Sequence, residues 1–111
     1  MVRQAVTASE IAGCFEAMRH LRGHLVETDF VPLVQAMMAE GYRLAYIEEA
    51  GQVVCVAGFR VSTNFFLGKH LYVEDLSTVE GRRSGGHGAR MLKWLYDLAR
   101  AEGCSAVNLD S

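Results

Sequence analysis

The chain has 111 residues, half of them apolar, and a formal net charge of −2. A chain of this length and composition folds as one domain with a buried core. The small negative charge argues against a general nucleic-acid binder, which needs a basic surface to displace counterions. No apolar run reaches the roughly 18 residues of a membrane helix, and the polar start of the chain lacks the apolar core of a signal peptide. We therefore expect a single domain over residues 1–111 in the cytoplasm, with no nucleic-acid or membrane partner.

Neither a disulfide framework nor a metal site is indicated. The cysteines are odd in number and far apart: Cys14, Cys55 and Cys104. That spacing fits core thiols better than paired or zinc-bound ones. His20 and His24 lie four residues apart, but the H-E-x-x-H zinc pattern fails because Leu21 follows His20. We therefore expect no metal.

The beginning of the chain predicts a strand and a helix. Residues 2–6 read as a short strand. Thr7 and Glu10 stand three apart and form a capping box at the start of a helix. Apolar residues at helical spacing continue this helix to about Leu25.

A second helix and a hairpin follow. Asp29 is expected to cap the helix, and Gly41 to end it. Residues 42–49 and 52–61 are strands joined by a turn at Ala50-Gly51, so they form an antiparallel hairpin. The second of these strands is apolar on both faces, which predicts a sheet covered on both sides.

The remainder predicts a strand–loop–helix–strand unit. Residues 62–68 are expected to be a loop or an irregular strand end, with Phe65-Phe66 packed beneath it. A strand over 69–79 is followed by a Gly- and Arg-rich loop, a helix to about Glu102 and a strand over 104–109, parallel to the strand before the helix. The whole order predicts an α/β domain with a mixed, mainly antiparallel sheet and helices on both faces.

The segment between the third long strand and the last helix carries the chemistry. It reads Glu80-Gly81-Arg82-Arg83-Ser84-Gly85-Gly86-His87-Gly88-Ala89-Arg90. Glycines let a ligand approach the backbone closely, and a helix start presents unpaired N–H groups to an anion. With the added arginine charge, the segment predicts a phosphate or pyrophosphate ligand.

Two common phosphate-binding patterns do not fit this segment. A P-loop needs Lys followed by Ser or Thr after its last glycine, and Ala89-Arg90 stands there. The dinucleotide-binding pattern G-x-G-x-x-G needs a third glycine, and that place holds Met91. An NTPase or a NAD enzyme is therefore disfavoured.

A third pattern fits. Residues 83–88, Arg-Ser-Gly-Gly-His-Gly, resemble the Q/R-x-x-G-x-G/A pattern of the GNAT family of N-acetyltransferases. Residues 71–76 resemble that family's fourth strand and residues 89–102 its third helix, and the element order agrees over nearly the whole chain. The resemblance implies an acyl-CoA N-acyltransferase fold. Because that fold continues with a helix and two strands, we expect a chain truncated at its C-terminus.

The resemblance also implies acetyl-CoA as the acetyl donor. Its pyrophosphate would be bound by the loop and the helix start: Arg82, Arg83, Ser84, Gly85, Gly86, His87, Gly88 and Ala89. At His87 we expect the backbone to make the contact. The pantetheine arm would pair with the end of the preceding strand: Leu76, Ser77, Thr78 and Val79. A backbone N–H there would polarise the acetyl carbonyl.

The implied reaction is direct attack of a primary amine, either a small amine or a peptide amine, on the thioester. Family members often use a carboxylate on the fourth strand as the base, so Glu74 is the preferred candidate here and Asp75 the second. Alternation along a strand places the two on opposite faces. The exposed edge of the last strand predicts a homodimer. The alternative is a non-catalytic CoA-binding module that works as an oligomer.

Overall fold

The computed structural model describes residues 1–79 and 85–109. The strands are β1 (Val2–Gln4), β2 (Arg43–Glu49), β3 (Gln52–Asn64), β4 (Gly68–Thr78) and β5 (Ala106–Leu109). The helices are α1 (Ala8–Gly13), α2 (Phe15–Leu21), α3 (Glu27–Met38) and α4 (His87–Ala101). The described strands form one sheet in the order β1-β2-β3-β4-β5, antiparallel except for the β4–β5 pair. The predicted α/β class with a mainly antiparallel sheet is confirmed.

Each face of the sheet carries its own core, because β2 and β3 are apolar on both sides. On one face the helices α1, α2 and α3 cover a cluster that includes Ile11, Phe30 and Leu44. On the other face α4 packs Met91 and Leu95 against the sheet. Burying a side chain of this size contributes roughly 2 kcal/mol. Packing against helices on both faces, as predicted, therefore stabilises the sheet.

The first predicted helix is two helices. Its start is confirmed, since Thr7 Oγ1 accepts from the Glu10 N–H at 3.1 Å and Glu10 Oε1 accepts from the Thr7 N–H at 2.9 Å. It breaks at Cys14, directly after Gly13, and the second part ends at Leu21 instead of continuing to about Leu25. Glycine is a weak helix former, so Gly13 is the local signal for this break.

The next helix begins earlier than predicted. Its N-cap is Val26, and Asp29 lies in the first turn, where a carboxylate is favoured by the helix dipole. The prediction that Asp29 is the cap is therefore wrong. Gly41 takes a positive φ of 98°, and its N–H donates to the Met38 carbonyl at 3.1 Å, so the chain turns there as expected.

Both hairpins join long strands through short turns. The first turns at Ala50 and Gly51, whose φ values are 52° and 78°, as a tight hairpin requires. In the second, β3 continues to Asn64, so the expected loop over 62–68 is reduced to residues 65–67. The side chains of Phe65 and Phe66 are fully exposed at the tip of this second hairpin. The prediction that these rings pack beneath a loop is wrong.

The last strand is parallel to β4, as the crossover rule predicts. His70 lies opposite Ala106, and Val73 lies opposite Leu109. Within the described residues this pairing ends at Val73, whereas β4 continues to Thr78. Beyond Val73, β4 has no described residue of β5 beside it. No helix in the described part of the chain has the length and apolarity to cross a membrane.

Candidate active site

A β-bulge at Glu74 shapes the centre of the site. Asp75 lies opposite Gly58 and Val73 lies opposite Phe59, so Glu74 is the extra residue on β4. Val73 and, beyond the bulge, Leu76 both pack into the core beneath α4. Glu74 and Asp75 therefore both face the side of α1–α3, because a bulge interrupts the alternation of side chains. The prediction that they lie on opposite faces is wrong.

Asp75 is bonded through both carboxylate oxygens. Arg22 Nε donates to Oδ1 at 2.9 Å, and the Tyr42 hydroxyl donates to Oδ2 at 2.9 Å. The Asp75 side chain is only 12% exposed. Burial, and then the charge of Asp75, raise the pKa of Tyr42, so the phenol keeps its proton and remains the donor. These bonds fix Asp75 in one orientation.

Glu74 is paired with a different arginine. Arg60 Nε donates to Glu74 Oε2 at 2.6 Å, and Arg60 Nη1 donates to the Glu40 carbonyl at 2.8 Å. The Arg60 guanidinium also lies 5.5 Å from the centre of the Tyr42 ring. Arg60 therefore connects the two carboxylates through Tyr42. The Glu74 side chain is 26% exposed, more than that of Asp75.

A cavity of about 360 Å³ opens beside these carboxylates. Tyr42, Glu74 and Asp75 form its polar end, and Arg22 and the exposed His24 line it as well. Its walls are apolar side chains from α2, α3 and the segment between them: Met18, Leu25, Phe30, Leu33, Val34 and Met37. Such a cavity suits an organic molecule of modest size.

A second cleft, of about 610 Å³, lies along β4 beside the end of β5. Leu76 and Leu109 line it from the two strands, and Glu74 and Arg22 line both this cleft and the apolar cavity. The Val79 N–H donates to the Val54 carbonyl at 2.8 Å. By the alternation of an antiparallel ladder, the N–H and C=O groups of Leu76 and Thr78 face away from β3.

The glycine-rich segment is described in part. Arg82, Arg83 and Ser84 lie outside the described residues. Gly86 is the N-cap of α4 with a φ of 73°, and the helix runs for 15 residues from His87. A Cβ on Gly88 would lie 3.8 Å from Thr78 Oγ1, which places the helix start beside the end of β4. Of the predicted pyrophosphate-binding residues that the structure describes, Gly88 thus lies beside the end of β4.

His87 has a role in packing that the sequence did not indicate. Its side chain is buried, and its Nδ1 contacts the guanidinium of Arg90. Its Nε2 lies 3.5 Å from Glu49 Oε1, and Arg90 Nη2 lies 3.6 Å from Glu49 Oε2. These contacts attach the start of α4 to the end of β2. The contact with Arg90, three residues along the helix, follows helical spacing, but the contact with Glu49 requires the folded sheet.

No group of three or more His, Cys, Asp or Glu side chains in the described part of the chain could hold a metal ion. His70, which precedes the carboxylates on β4, is buried, and its Nδ1 lies 3.0 Å from the Gly68 carbonyl.

Comparisons with known proteins identify the class of protein to which this chain belongs. Residues 10–111 match the acetyltransferase (GNAT) family. The uncharacterized N-acetyltransferase YhdJ of Bacillus subtilis is 30% identical over 111 residues, which are 99% of this chain and 78% of that protein. The chain belongs to the GNAT family and is an acetyltransferase. The predicted resemblance to the GNAT family is confirmed.

Solved structures share the fold. A GNAT family acetyltransferase of Staphylococcus aureus has a TM-score of 0.86 at 15% identity, covering 100% of this chain and 85% of that one. The aminoglycoside N-acetyltransferase AAC(6')-Iy, solved in complex with CoA, has a TM-score of 0.85 at 10% identity, covering 100% and 76%. At such identities the likeness establishes the acyl-CoA N-acyltransferase fold alone.

Proposed function

We propose that this acetyltransferase moves the acetyl group of acetyl-CoA to a primary amine, on a small molecule or a peptide, by direct attack. The observation that carries the proposal is the meeting of two clefts at Glu74. One cleft follows the open edge of β4, and the other is the apolar cavity beneath α3. A donor in the first and an acceptor in the second would place their reacting atoms beside one carboxylate.

The open edge of β4 fits the arm of an acetyl donor. Leu76 and Thr78 present outward N–H and C=O groups there, and an extended amide chain can pair with them as a strand would. The Leu76 N–H is the first of these groups beyond the bulge. We propose that it donates to the acetyl carbonyl oxygen and stabilises the negative charge that develops there. The donor-binding set is completed by Ser77 and Val79.

The start of α4 fits the pyrophosphate of the donor. Its first turn has N–H groups without partners within the helix, and Gly86 adds no side chain that would block them. We assign this contact to Arg82, Arg83, Ser84, Gly85, Gly86, His87, Gly88 and Ala89. A structural neighbour solved with CoA supports the assignment.

We assign the catalytic base to Glu74, with Asp75 as the second candidate. Both oxygens of Asp75 are already bonded, whereas Glu74 is more exposed and lines both clefts. In the transfer step, the amine nitrogen forms a bond to the carbonyl carbon of the acetyl group, and the C–S bond of the thioester breaks. The proton lost by the nitrogen goes to the carboxylate, directly or through water, and CoA leaves as its thiolate, which takes up a proton.

Calorimetric titration with acetyl-CoA tests the donor site. We expect micromolar binding, on the order of −8 kcal/mol, to the unaltered chain. Arg83→Glu should weaken it strongly by reversing charge in the loop. Lys93→Glu, the same charge change on the exposed side of α4, should leave it unchanged. A folded chain that does not bind acetyl-CoA would contradict the proposal.

We also propose a homodimer that pairs through the outer edge of β5. This strand has one neighbour, β4, within the described sheet, and an open strand edge favours pairing with another chain. Sedimentation equilibrium measures the mass directly. A dimer that binds acetyl-CoA but releases no CoA with any amine would favour the non-catalytic module instead.

The cytoplasmic location stays a prediction from the sequence.

A further inference from the structure

We propose that the acceptor is a monoamine carried on an apolar aryl or alkyl group, and that this group fills the cavity of about 360 Å³ between α2, α3 and β4. The inference rests on the proposed function, because it assigns the cavity to the amine. Acceptors of this reaction could also be polyamines or amino sugars. The lining of the cavity distinguishes among these three chemical classes.

The walls select against hydroxylated acceptors. The side chains contributed by α3 are all apolar, and Phe30 is held edge-on to Phe15 with their ring centres 5.3 Å apart. A sugar hydroxyl placed against this wall would lose its hydrogen bonds to water without gaining others, which is unfavourable. An aryl or alkyl group would instead gain by leaving water. The methionine side chains can adapt to its shape.

The charges around the cavity select against polycations. Its two carboxylates are each paired with a guanidinium, Asp75 with Arg22 and Glu74 with Arg60. The two carboxylates and the two guanidinium groups together carry no net charge. One ammonium group can contact a carboxylate locally, but a second ammonium group gains no further electrostatic attraction. A second ammonium further along the chain of a polyamine would meet the apolar wall or the cationic Arg22. A single amino group is therefore the better fit.

The same geometry sets the direction of binding. Glu74 lines both clefts, so the amine must be at this end of the cavity to meet the donor. The apolar group then lies against the apolar walls, among them Leu33, which is 47% exposed and is not part of the buried core. Leu33 is thus a position where the acceptor can be perturbed without unfolding the protein.

The test compares acceptors of similar size in an assay of CoA release. Phenethylamine and hexylamine represent the apolar class, spermidine the polycations, and glucosamine 6-phosphate the amino sugars. We expect kcat/KM for the apolar amines to exceed that for the other two by about 10- to 100-fold, the discrimination that an apolar pocket provides.

Leu33→Glu adds a charge to the wall, and Gln35→Glu, an exposed residue two positions along α3, is the matched control. Leu33→Glu should raise KM for phenethylamine about tenfold with kcat and the Kd for acetyl-CoA unchanged, and Gln35→Glu should change none of these.

A preference for spermidine, strengthened by Leu33→Glu, would overturn the inference, as would a preference for glucosamine 6-phosphate. So would a chain that binds acetyl-CoA and acetylates no apolar amine. If acetyl-CoA itself does not bind, the proposed function fails and the inference with it.

Discussion

The hydroxyl of Tyr42 donates to Oδ2 of Asp75 at 2.9 Å, across the backbone of Gly58. Asp75 and Gly58 are opposite each other in the β3–β4 ladder, at the register shift that produces the bulge. A Cβ on Gly58 would lie 1.7 Å from the Tyr42 hydroxyl oxygen and 2.8 Å from Asp75 Oδ2. Because residue 58 has no side chain, Tyr42, which directly precedes β2, can reach a carboxylate on β4.

Gly58→Ala should consequently displace Tyr42 and break its bond to Asp75. Forcing a methyl group into a filled site and losing a hydrogen bond to a charged group together cost about 3 kcal/mol. Urea denaturation measures the free energy of unfolding. Gly13→Ala is the control. Its new Cβ would lie 3.9 Å from the nearest atom, Val53 Cγ2, which is an ordinary contact, and alanine favours a helix. Equal stability of the two variants would show that Tyr42 moves away without cost.

Glu74→Gln should lower kcat for amine acetylation about 100-fold or more, because an amide cannot accept the proton in the transition state. The Kd for acetyl-CoA should be unchanged. Asp75→Asn should have a smaller effect on kcat, since an amide oxygen can still accept from Tyr42. Glu48→Gln, an exposed carboxylate on β2, is the control. A Glu74→Gln variant with normal turnover and a disabled Asp75→Asn would transfer the role of base to Asp75.

The sequence was sufficient for those parts of the fold that depend on neighbouring residues. The Thr7–Glu10 capping box and the Ala50-Gly51 turn are local, and both are confirmed. The bulge is not local. It lies where Asp75 stands opposite Gly58 and is bonded to Tyr42, two residues far from Asp75 in the chain, so strict alternation was the wrong expectation for the two carboxylates.

The arginine partners of the site could not be predicted for the same reason. Arg22 follows the end of α2 and Arg60 lies on β3, and neither has a sequence spacing that relates it to β4. The glycine-rich segment, in contrast, is continuous in sequence, and its pattern between a strand and a helix indicated the family. Contiguous binding segments can be recognised from sequence, whereas a cluster assembled from three elements requires the fold.

Thiol labelling should distinguish the cysteines. Burial raises the pKa of Cys14 to about 12 and raises that of Cys55, and both side chains are fully enclosed. Only a thiolate reacts. Cys104 is partly exposed near the end of α4. Iodoacetamide at neutral pH, followed by peptide mass spectrometry, should therefore modify Cys104 first. Rapid modification of Cys14 would mean that α1 and α2 separate readily at their junction.

Glu102→Gln should destabilise the protein at neutral pH by about 1 kcal/mol. Arg43 donates from Nη1 and Nη2 to the two oxygens of Glu102, each at 2.9 Å, and this pair holds the pKa of Glu102 below its usual value of 4.5. A carboxyl whose pKa is lower in the folded state stabilises folding above its unfolded pKa. That contribution is lost as pH falls through the folded pKa.

The difference in unfolding free energy between the parent chain and Glu102→Gln should therefore be constant from pH 7 to about pH 5. It should shrink below pH 4.5 and vanish once the carboxyl is protonated in the folded protein. Other carboxyls, including Asp97, have lowered pKa values too, so the difference between the two chains, and not the stability of either, isolates Glu102. A difference that persists unchanged into strong acid would mean that Glu102 stabilises through packing and not through its charge.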